Sequence, residues 1–385
     1  MAASALLVRN GSVVIGGDLV TTDVFVEGDA IVHIGAGADR RTGSAVEVVD
    51  AGGLIVAPGF IDLQVNGGWG HDFTTDAASI AEVAERLASS GVTAFLPTIV
   101  TSAPQQRRAA MAAIAGHVPV RASAVPLGLH FEGPMIAASR VGAHAPEWVG
   151  PVAARELAGW SSGGGVRLVT IAPEFAGAPD IIAGLVQRGV VVSIGHTACT
   201  PAQFAVARSA GANAVTHLYN AMAPFSHRAP GPIGATLADD RVVASLICDG
   251  LHVDPTAVAV AWQNLGPHRT LLVTDATAAL GLGSGANHVR LGNLDVVVGP
   301  DGVRSPSGVL AGSNLAMDAA VRNLVAYTGC SPVAAIGCAT EVPADLLGLT
   351  DRGRLAVGAR ADLVLLDDSL RPRQTIIGGI TAWRS

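Results

Sequence analysis

The sequence predicts an α/β protein: a (β/α)8 TIM barrel with a small β-sandwich domain built from both chain termini. Three observations carry that prediction. The first 55 residues alternate short apolar runs with glycine turns and contain nothing helical in pattern. From residue 56 onward, apolar runs of strand length alternate with alanine-rich helical stretches, and the strands are continuously apolar, as parallel strands buried on both faces must be. The last 30 or so residues return to short strands. A chain of 385 residues has room for a barrel of about 250 residues and a modest second unit.

In chain order, short antiparallel strands are expected at 6–8, 12–15, 24–27, 31–34 and 46–49, with Gly16-Gly17 and Gly28-Asp29 as turn residues. Eight barrel strands follow at 60–65, 94–100, 125–131, 167–172, 190–194, 214–218, 242–248 and 270–274. Helices between them include 76–90, 104–116, 180–188, 201–210 and 255–264, several opening on proline or aspartate. After the eighth strand, 289–298 and 303–309 read as a hairpin turning at Pro300-Asp301-Gly302. Helices at 314–327 and 332–339 and strands at 362–366 and 375–377 complete the chain. The expected division is 1–55 plus 355–385 for the β domain and 56–354 for the barrel. Loops 137–142 and 278–285 contain small residues compatible with motion.

Composition narrows the function. Half the residues are hydrophobic but only 4% are aromatic, so aliphatic side chains and alanine fill the core. The net charge of -7, without a basic stripe, argues against a nucleic-acid partner. It leaves room for a small anion, which one arginine or one helix N-terminus can hold. All 24 basic residues are arginine, so no lysine can form a Schiff base or, once carbamylated, bridge two metals. Cys199, Cys248, Cys330 and Cys338 form no C-x-x-C pair and read as free thiols of a reducing compartment. The first ten residues lack a basic segment followed by a long apolar run, and no stretch is long and apolar enough to span a bilayer. A cytoplasmic location, without signal peptide or membrane partner, is the expectation.

Chemistry in such barrels sits at the C-terminal ends of the strands. Those ends carry Gln64 and Asn66, then Glu132, His196, His217, Asp249 with His252, and Asp275. One histidine at a strand end is more often hydrogen-bonded structure than a ligand, and one acidic residue there is more often a helix cap. Together, however, two imidazoles and a carboxylate converging on one mouth form a ligand set for a catalytic zinc-type ion. Such an ion lowers the pKa of water to roughly 7, and an aspartate beside it can move the proton. His33, His71, His117, His268 and His288 fall outside the pattern, and His130 receives no role.

Ala57-Pro58-Gly59-Phe60-Ile61-Asp62, followed by a polar-x-polar pair, resembles the first-strand signature of the amidohydrolase superfamily. The segment from Gly353-Arg354-Leu355 to Gly358-Ala359-Arg360-Ala361-Asp362-Leu363-Val364 is similar to that superfamily's return into its β domain. Within it the chain resembles N-acetylglucosamine-6-phosphate deacetylases. The matching motifs are His130-Phe131-Glu132-Gly133-Pro134, Gly142-Ala143-His144, Gly195-His196-Thr197, Thr216-His217-Leu218-Tyr219-Asn220-Ala221-Met222, Asp249-Gly250-Leu251-His252, Thr274-Asp275-Ala276 and Leu310-Ala311-Gly312-Ser313. The resemblance implies Glu132, His196 and His217 as metal ligands, with Asp275 as general base and then acid. It implies that His252 positions or polarises the acetamide, that His144 and Leu310 touch the substrate, and that Asn220 and Ala221 offer donors to its phosphate. Arg228 matches an arginine that reaches the neighbouring subunit's site, which implies a homodimer.

The chain departs from one common form of the superfamily. Where many members carry His-x-His on strand one, Gln64 and Asn66 stand here. Amides are poor ligands beside imidazole, so one divalent metal per subunit is expected rather than two. Zinc suits the ligands, with Fe2+, Mn2+ and Co2+ open. The two amides are expected to hydrogen-bond water or neighbouring side chains. Three alternatives stand beside the deacetylase reading: the same reaction on the galacto epimer, a cyclic amidase or N-acyl-amino-acid deacylase, and a non-catalytic barrel scaffold.

Overall fold

The structure, a computed structural model, describes residues 5–36, 46–283 and 288–385. Residues 1–4 of the segment read for a leader, and positions 284–285 of the loop 278–285, lie outside the described residues. The expected barrel is present. Its strands run Phe60–Val65, Val92–Val100, Leu129–Glu132, Val166–Ile171, Val191–Ile194, Ala214–Val215, Val243–Leu246 and Thr270–Leu272, each parallel to its neighbour. Closure is made at the mouth. Val65 bridges Ala276, the Asn66 amide donates to the Ala276 carbonyl at 2.7 Å, and the Asp275 amide donates to the Gln64 carbonyl at 2.9 Å. The hydrogen bonds that close the barrel therefore also bring three candidate site residues side by side.

Aliphatic residues fill the space between strands and helices, while a few aromatics, among them Phe60, Phe95, Phe131 and Trp160, are fully buried. Helix starts follow ordinary chemistry. Pro201–Ser209 opens on Thr200, whose hydroxyl accepts from the Gln203 amide while the Gln203 side chain accepts from the Thr200 amide. Pro255–Leu265 opens on Asp254, which accepts from the Thr256 amide. No helix among the described residues is long and apolar enough to cross a membrane.

The two termini build a separate sheet. Its order is Ile380–Arg384, Pro372–Ile377, Leu363–Leu366, Ile55–Pro58, Ala5–Ile15, Asp18–Glu27 and Ala30–Ile34, with Val46–Asp50 also pairing with Ala5–Ile15. Ile55–Pro58 runs almost directly into the first barrel strand through Gly59. A Cβ there would lie 2.2 Å from Thr93, so only glycine lets the two strands pass so closely.

Local differences from the sequence expectation have physical causes. Barrel strand three breaks into Val125–Pro126 and Leu129–Glu132, because Gly128 takes φ +129° between them. Strand six keeps ladder pairing only over Ala214–Val215, and beyond it His217, Tyr219 and Ala221 all adopt positive φ. The inserted hairpin is three strands rather than two, His288–Leu291, Leu294–Gly299 and Gly302–Arg304, turning at Gly292 as well as after Pro300. Helix Gly231–Ala238 was not evident in a segment with two glycines, and burial of Ile233 and Thr236 sustains it against that poor propensity. Strand Ile380–Arg384 pairs with Pro372–Ile377 across Gly378-Gly379, a turn signal the sequence did carry.

Candidate active site

Glu132, at the end of barrel strand three, is the hub of the mouth. Its Oε1 lies 2.8 Å from His217 Nε2, 3.2 Å from His196 Nε2 and 3.1 Å from Gln64 Nε2. Its Oε2 is 3.5 Å from His144 Nε2. All four side chains are buried. Burial opposes the charge on Glu132, but hydrogen bonds from His144, His196 and His217 outweigh it and hold the carboxyl well below its ordinary range. Burial likewise opposes a charge on His217, yet Glu132 raises that imidazole above its usual value. His144 is pushed down to about 4 by burial and by the neighbouring His196.

Glu132, His196 and His217 each offer one ligand atom, and these atoms lie within 4.8 Å of one another. The tautomers fit a cation. His196 Nδ1 is 2.8 Å from the Arg140 carbonyl oxygen, so Nδ1 carries a proton and Nε2 is the atom turned to the Glu132 carboxylate. Between Nε2 and the carboxylate oxygen either a proton on the ring or a metal ion satisfies both groups. The residues present thus suit a divalent cation.

Asp275 follows strand eight at φ +50°, a conformation a non-glycine residue adopts only under constraint. Ser313 supplies it: its amide donates to the Asp275 carbonyl at 2.8 Å and its hydroxyl to the Thr274 carbonyl at 2.6 Å. A Cβ at the neighbouring Gly312 would come within 2.9 Å of the Asp275 carbonyl oxygen. Asn66 and Gln64 both donate to Asp275 Oδ1, at 2.7 and 3.1 Å. No donor among the described residues bonds Oδ2, so that oxygen is left for the pocket. Burial, with the Glu132 charge beside it, raises the Asp275 pKa to about 6.

His252 is set by Asp249, whose Oδ2 is 2.7 Å from Nδ1 and whose Oδ1 accepts the Leu251 and His252 amides, each at 2.8 Å. With Nδ1 bonded to the carboxylate, Nε2 is the atom presented to the cavity. That cavity, about 200 Å3, is lined by the hub and Asp275, by Asn220, Ala221 and His252, and by Leu310. Of the candidates from sequence, Arg228 alone sits apart: it is exposed on the turn where Ser226 bridges Ala229. The sequence reading missed other lining residues. Ile247 lies two positions before Asp249, and Leu291 comes from the inserted hairpin, where nothing marks it as facing the mouth. Thr101, which bonds His144 Nδ1 at 2.8 Å, could have been found at the end of strand two.

The amidohydrolase family model matches residues 55–382. The chain belongs to the amidohydrolase family. Among amidohydrolases, the human N-acetylglucosamine-6-phosphate deacetylase is 39% identical, covering 100% of this chain and 97% of that protein. The N-acetylgalactosamine-6-phosphate deacetylase of Escherichia coli O157:H7 is 38% identical over 87% of this chain and 89% of its own length. Among solved structures, a mutant N-acetyl-D-glucosamine-6-phosphate deacetylase from Mycobacterium smegmatis, in complex with N-acetyl-D-glucosamine-6-phosphate, superposes with a TM-score of 0.87. It is 34% identical, with 99% of this chain and 100% of that chain covered. This amidohydrolase thus carries a site able to hold one metal ion at the mouth of its barrel.

Proposed function

We propose that this amidohydrolase removes the acetyl group of N-acetyl-D-glucosamine 6-phosphate, giving D-glucosamine 6-phosphate and acetate. The observation that carries the reading is Asp275, with one oxygen free, held beside Glu132, His196 and His217 in a cavity that also presents Asn220, Ala221 and His252. Glu132, His196 and His217 hold one divalent metal, zinc by preference among these ligands, which when bound polarises the amide carbonyl and makes water more acidic. Asp275 takes the proton of the attacking water at Oδ2 and returns it to the departing amine nitrogen. Gln64 and Asn66 fix the other oxygen, so the carboxylate cannot rotate away from that task. His252 Nε2, oriented by Asp249, steadies the acetamide oxygen as negative charge develops on it. His144 and Leu310 contact the sugar, and Asn220 and Ala221 receive the phosphate. Phosphate binding contributes position and discrimination rather than chemistry.

The reading includes a β unit of 1–55 plus 355–385 beside a barrel of 56–354. It includes a cytoplasmic location, supported by four free cysteines. It also includes a homodimer in which Arg228 reaches the neighbouring site, supported by the exposure of that side chain on its turn. Light scattering should give a dimer, and Arg228→Ala should raise KM for the phosphorylated sugar by roughly tenfold, the scale of one arginine–phosphate pair. A monomer with an unchanged KM would remove the dimer.

Acetate release from N-acetylglucosamine 6-phosphate, from the unphosphorylated sugar and from the galacto epimer tests the function. Turnover should be fastest on the first. Faster turnover of the epimer would move the assignment to the galactosamine reaction, for which the Escherichia coli relative is named. No turnover of any of them, on metal-loaded protein, would discard the sugar deacetylase reading.

A further inference from the structure

The C-terminal end of barrel strand four, Val166–Ile171, takes no part in the reading above. It is followed by Glu174, a half-buried carboxylate with no arginine or histidine partner among the described residues. Its two oxygens are nevertheless both engaged. Oε2 accepts from the Thr197 hydroxyl and Oε1 from the Ala198 amide, each at 2.5 Å. Thr197 is fully buried, and its hydroxyl in turn accepts from the Cys199 amide at 2.9 Å.

Thr197 has two neighbours of functional interest. On one side it follows His196. On the other, its amide donates to the Ala221 carbonyl at 3.1 Å, its carbonyl accepts from the Ala223 amide at 3.0 Å, and it bridges Met222 in parallel register. The two sides are not equally dependent on it. His196 has anchors of its own: the Ala137 amide donates to its carbonyl at 3.0 Å, and its Nδ1 donates to the Arg140 carbonyl at 2.8 Å. The Asn220–Ala221 segment leans on Thr197, and Ala221 holds φ +50°, a conformation that surrounding bonds must enforce.

We infer that Glu174 is a positioning residue for the phosphate subsite, acting through Thr197 on the loop that carries Asn220 and Ala221. The inference rests on the reading of those two residues as phosphate donors. Remove the carboxylate, and Thr197 loses its fixed hydroxyl partner and Ala198 its acceptor. The 220–223 segment then loses the edge it is paired against, while the metal ligands keep theirs. The defect should appear in binding of the phosphorylated end and spare the acetamide end.

The test is steady-state kinetics of Glu174→Ala, Glu174→Gln and Thr197→Val on N-acetylglucosamine 6-phosphate and on the unphosphorylated sugar, with metal content measured on each sample. Glu174→Ala should raise KM for the phosphorylated sugar by roughly tenfold, the scale of one charge-assisted hydrogen bond. Its kcat and metal content should stay near those of the parent, and the preference for the phosphorylated sugar should fall by the same factor. Glutamine can still accept from the Ala198 amide and should recover most of the loss. Thr197→Val removes the hydroxyl in nearly the same volume and should reproduce the alanine effect, so it decides the matter if Glu174→Ala does not fold. An unchanged preference in Glu174→Ala or Thr197→Val overturns the inference, as does an equal loss on both sugars or a loss of metal. If the parent protein itself shows no preference for the phosphorylated sugar, the functional reading fails rather than the role of Glu174 alone.

Discussion

The sheet of the two termini and the mouth of the barrel use backbone in opposite ways. In the sheet, Ala5–Ile15 and Asp18–Glu27 pair residue by residue with a single bulge, where Asn10 takes a positive φ, and the core beneath is Leu6, Val8, Val24, Val26 and Ile31. At the mouth, His196, His217, Tyr219, Ala221 and Asp275 all sit at positive φ, and none is glycine. Each such residue costs on the order of 1 kcal/mol or more. The mouth bears that cost because the side chains of His196, His217 and Asp275 must converge on one point, and the barrel beneath is rigid enough to hold them there. The sheet has no such demand, and within its strands only Asn10, at the bulge, departs from extended backbone. At the mouth, strain coincides with the positions whose side chains make the site.

That contrast can be broken from either side. The largest effect is expected at the mouth. His217→Ala removes one of three ligand atoms and should leave the protein folded, unable to retain metal, and slower by a factor of about 10^3 or more. Metal analysis beside acetate release checks it, and full activity with metal retained would contradict the ligand assignment. In the sheet, Ile31→Ala empties a fully buried position far from the mouth. It should lower unfolding free energy by about 3 kcal/mol, read by denaturant titration, with kcat unchanged. A drop in kcat without loss of stability would mean the two regions are coupled.

A pH-dependent effect is expected beneath Asp275. Asp62 is fully buried, accepts from the Thr274 amide and hydroxyl and the Gln64 amide, and is raised by burial to about 7 from an ordinary value of 3.8. A carboxyl whose folded pKa lies above its unfolded value supports the fold when protonated and loses that support as pH rises through the folded pKa. Asp62→Asn should therefore gain stability relative to the parent progressively between about pH 4 and about pH 7. Denaturant titrations of the pair across that range check it, and a constant difference would show that Asp62 does not titrate there.

Much of the fold was legible because its signals are local. Continuously apolar runs separated by capped, alanine-rich helices mark parallel barrel strands, and Pro201 and Pro255 stand at the first position of the helices they open. The site was legible in composition through its strand-end motifs, since barrel geometry brings strand ends together whatever lies between them. Their strained backbone was not, because a run such as Thr216-His217-Leu218-Tyr219-Asn220 has the apolar content of a strand and is bent only by its partners. The His217 amide donates to the Ser245 hydroxyl at 2.7 Å, and its carbonyl accepts from the Asn220 amide at 2.9 Å, which turns the chain back on itself. Leu291 was likewise hidden, since what it faces is decided by a hairpin folding back from after strand eight, and Ile247 reads as one more apolar residue of strand seven. Glu174 was invisible because it touches backbone and a hydroxyl rather than the reacting groups.

The most direct test of the site is Asp275→Asn, assayed for acetate release from N-acetylglucosamine 6-phosphate and for metal on the same sample. Asparagine keeps the shape and can still accept from Asn66, but it cannot carry the proton. The expected result is a rate lower by roughly 10^3-fold with metal retained. Acetate release at the parent rate would contradict the assignment of Asp275 as the proton-transferring group.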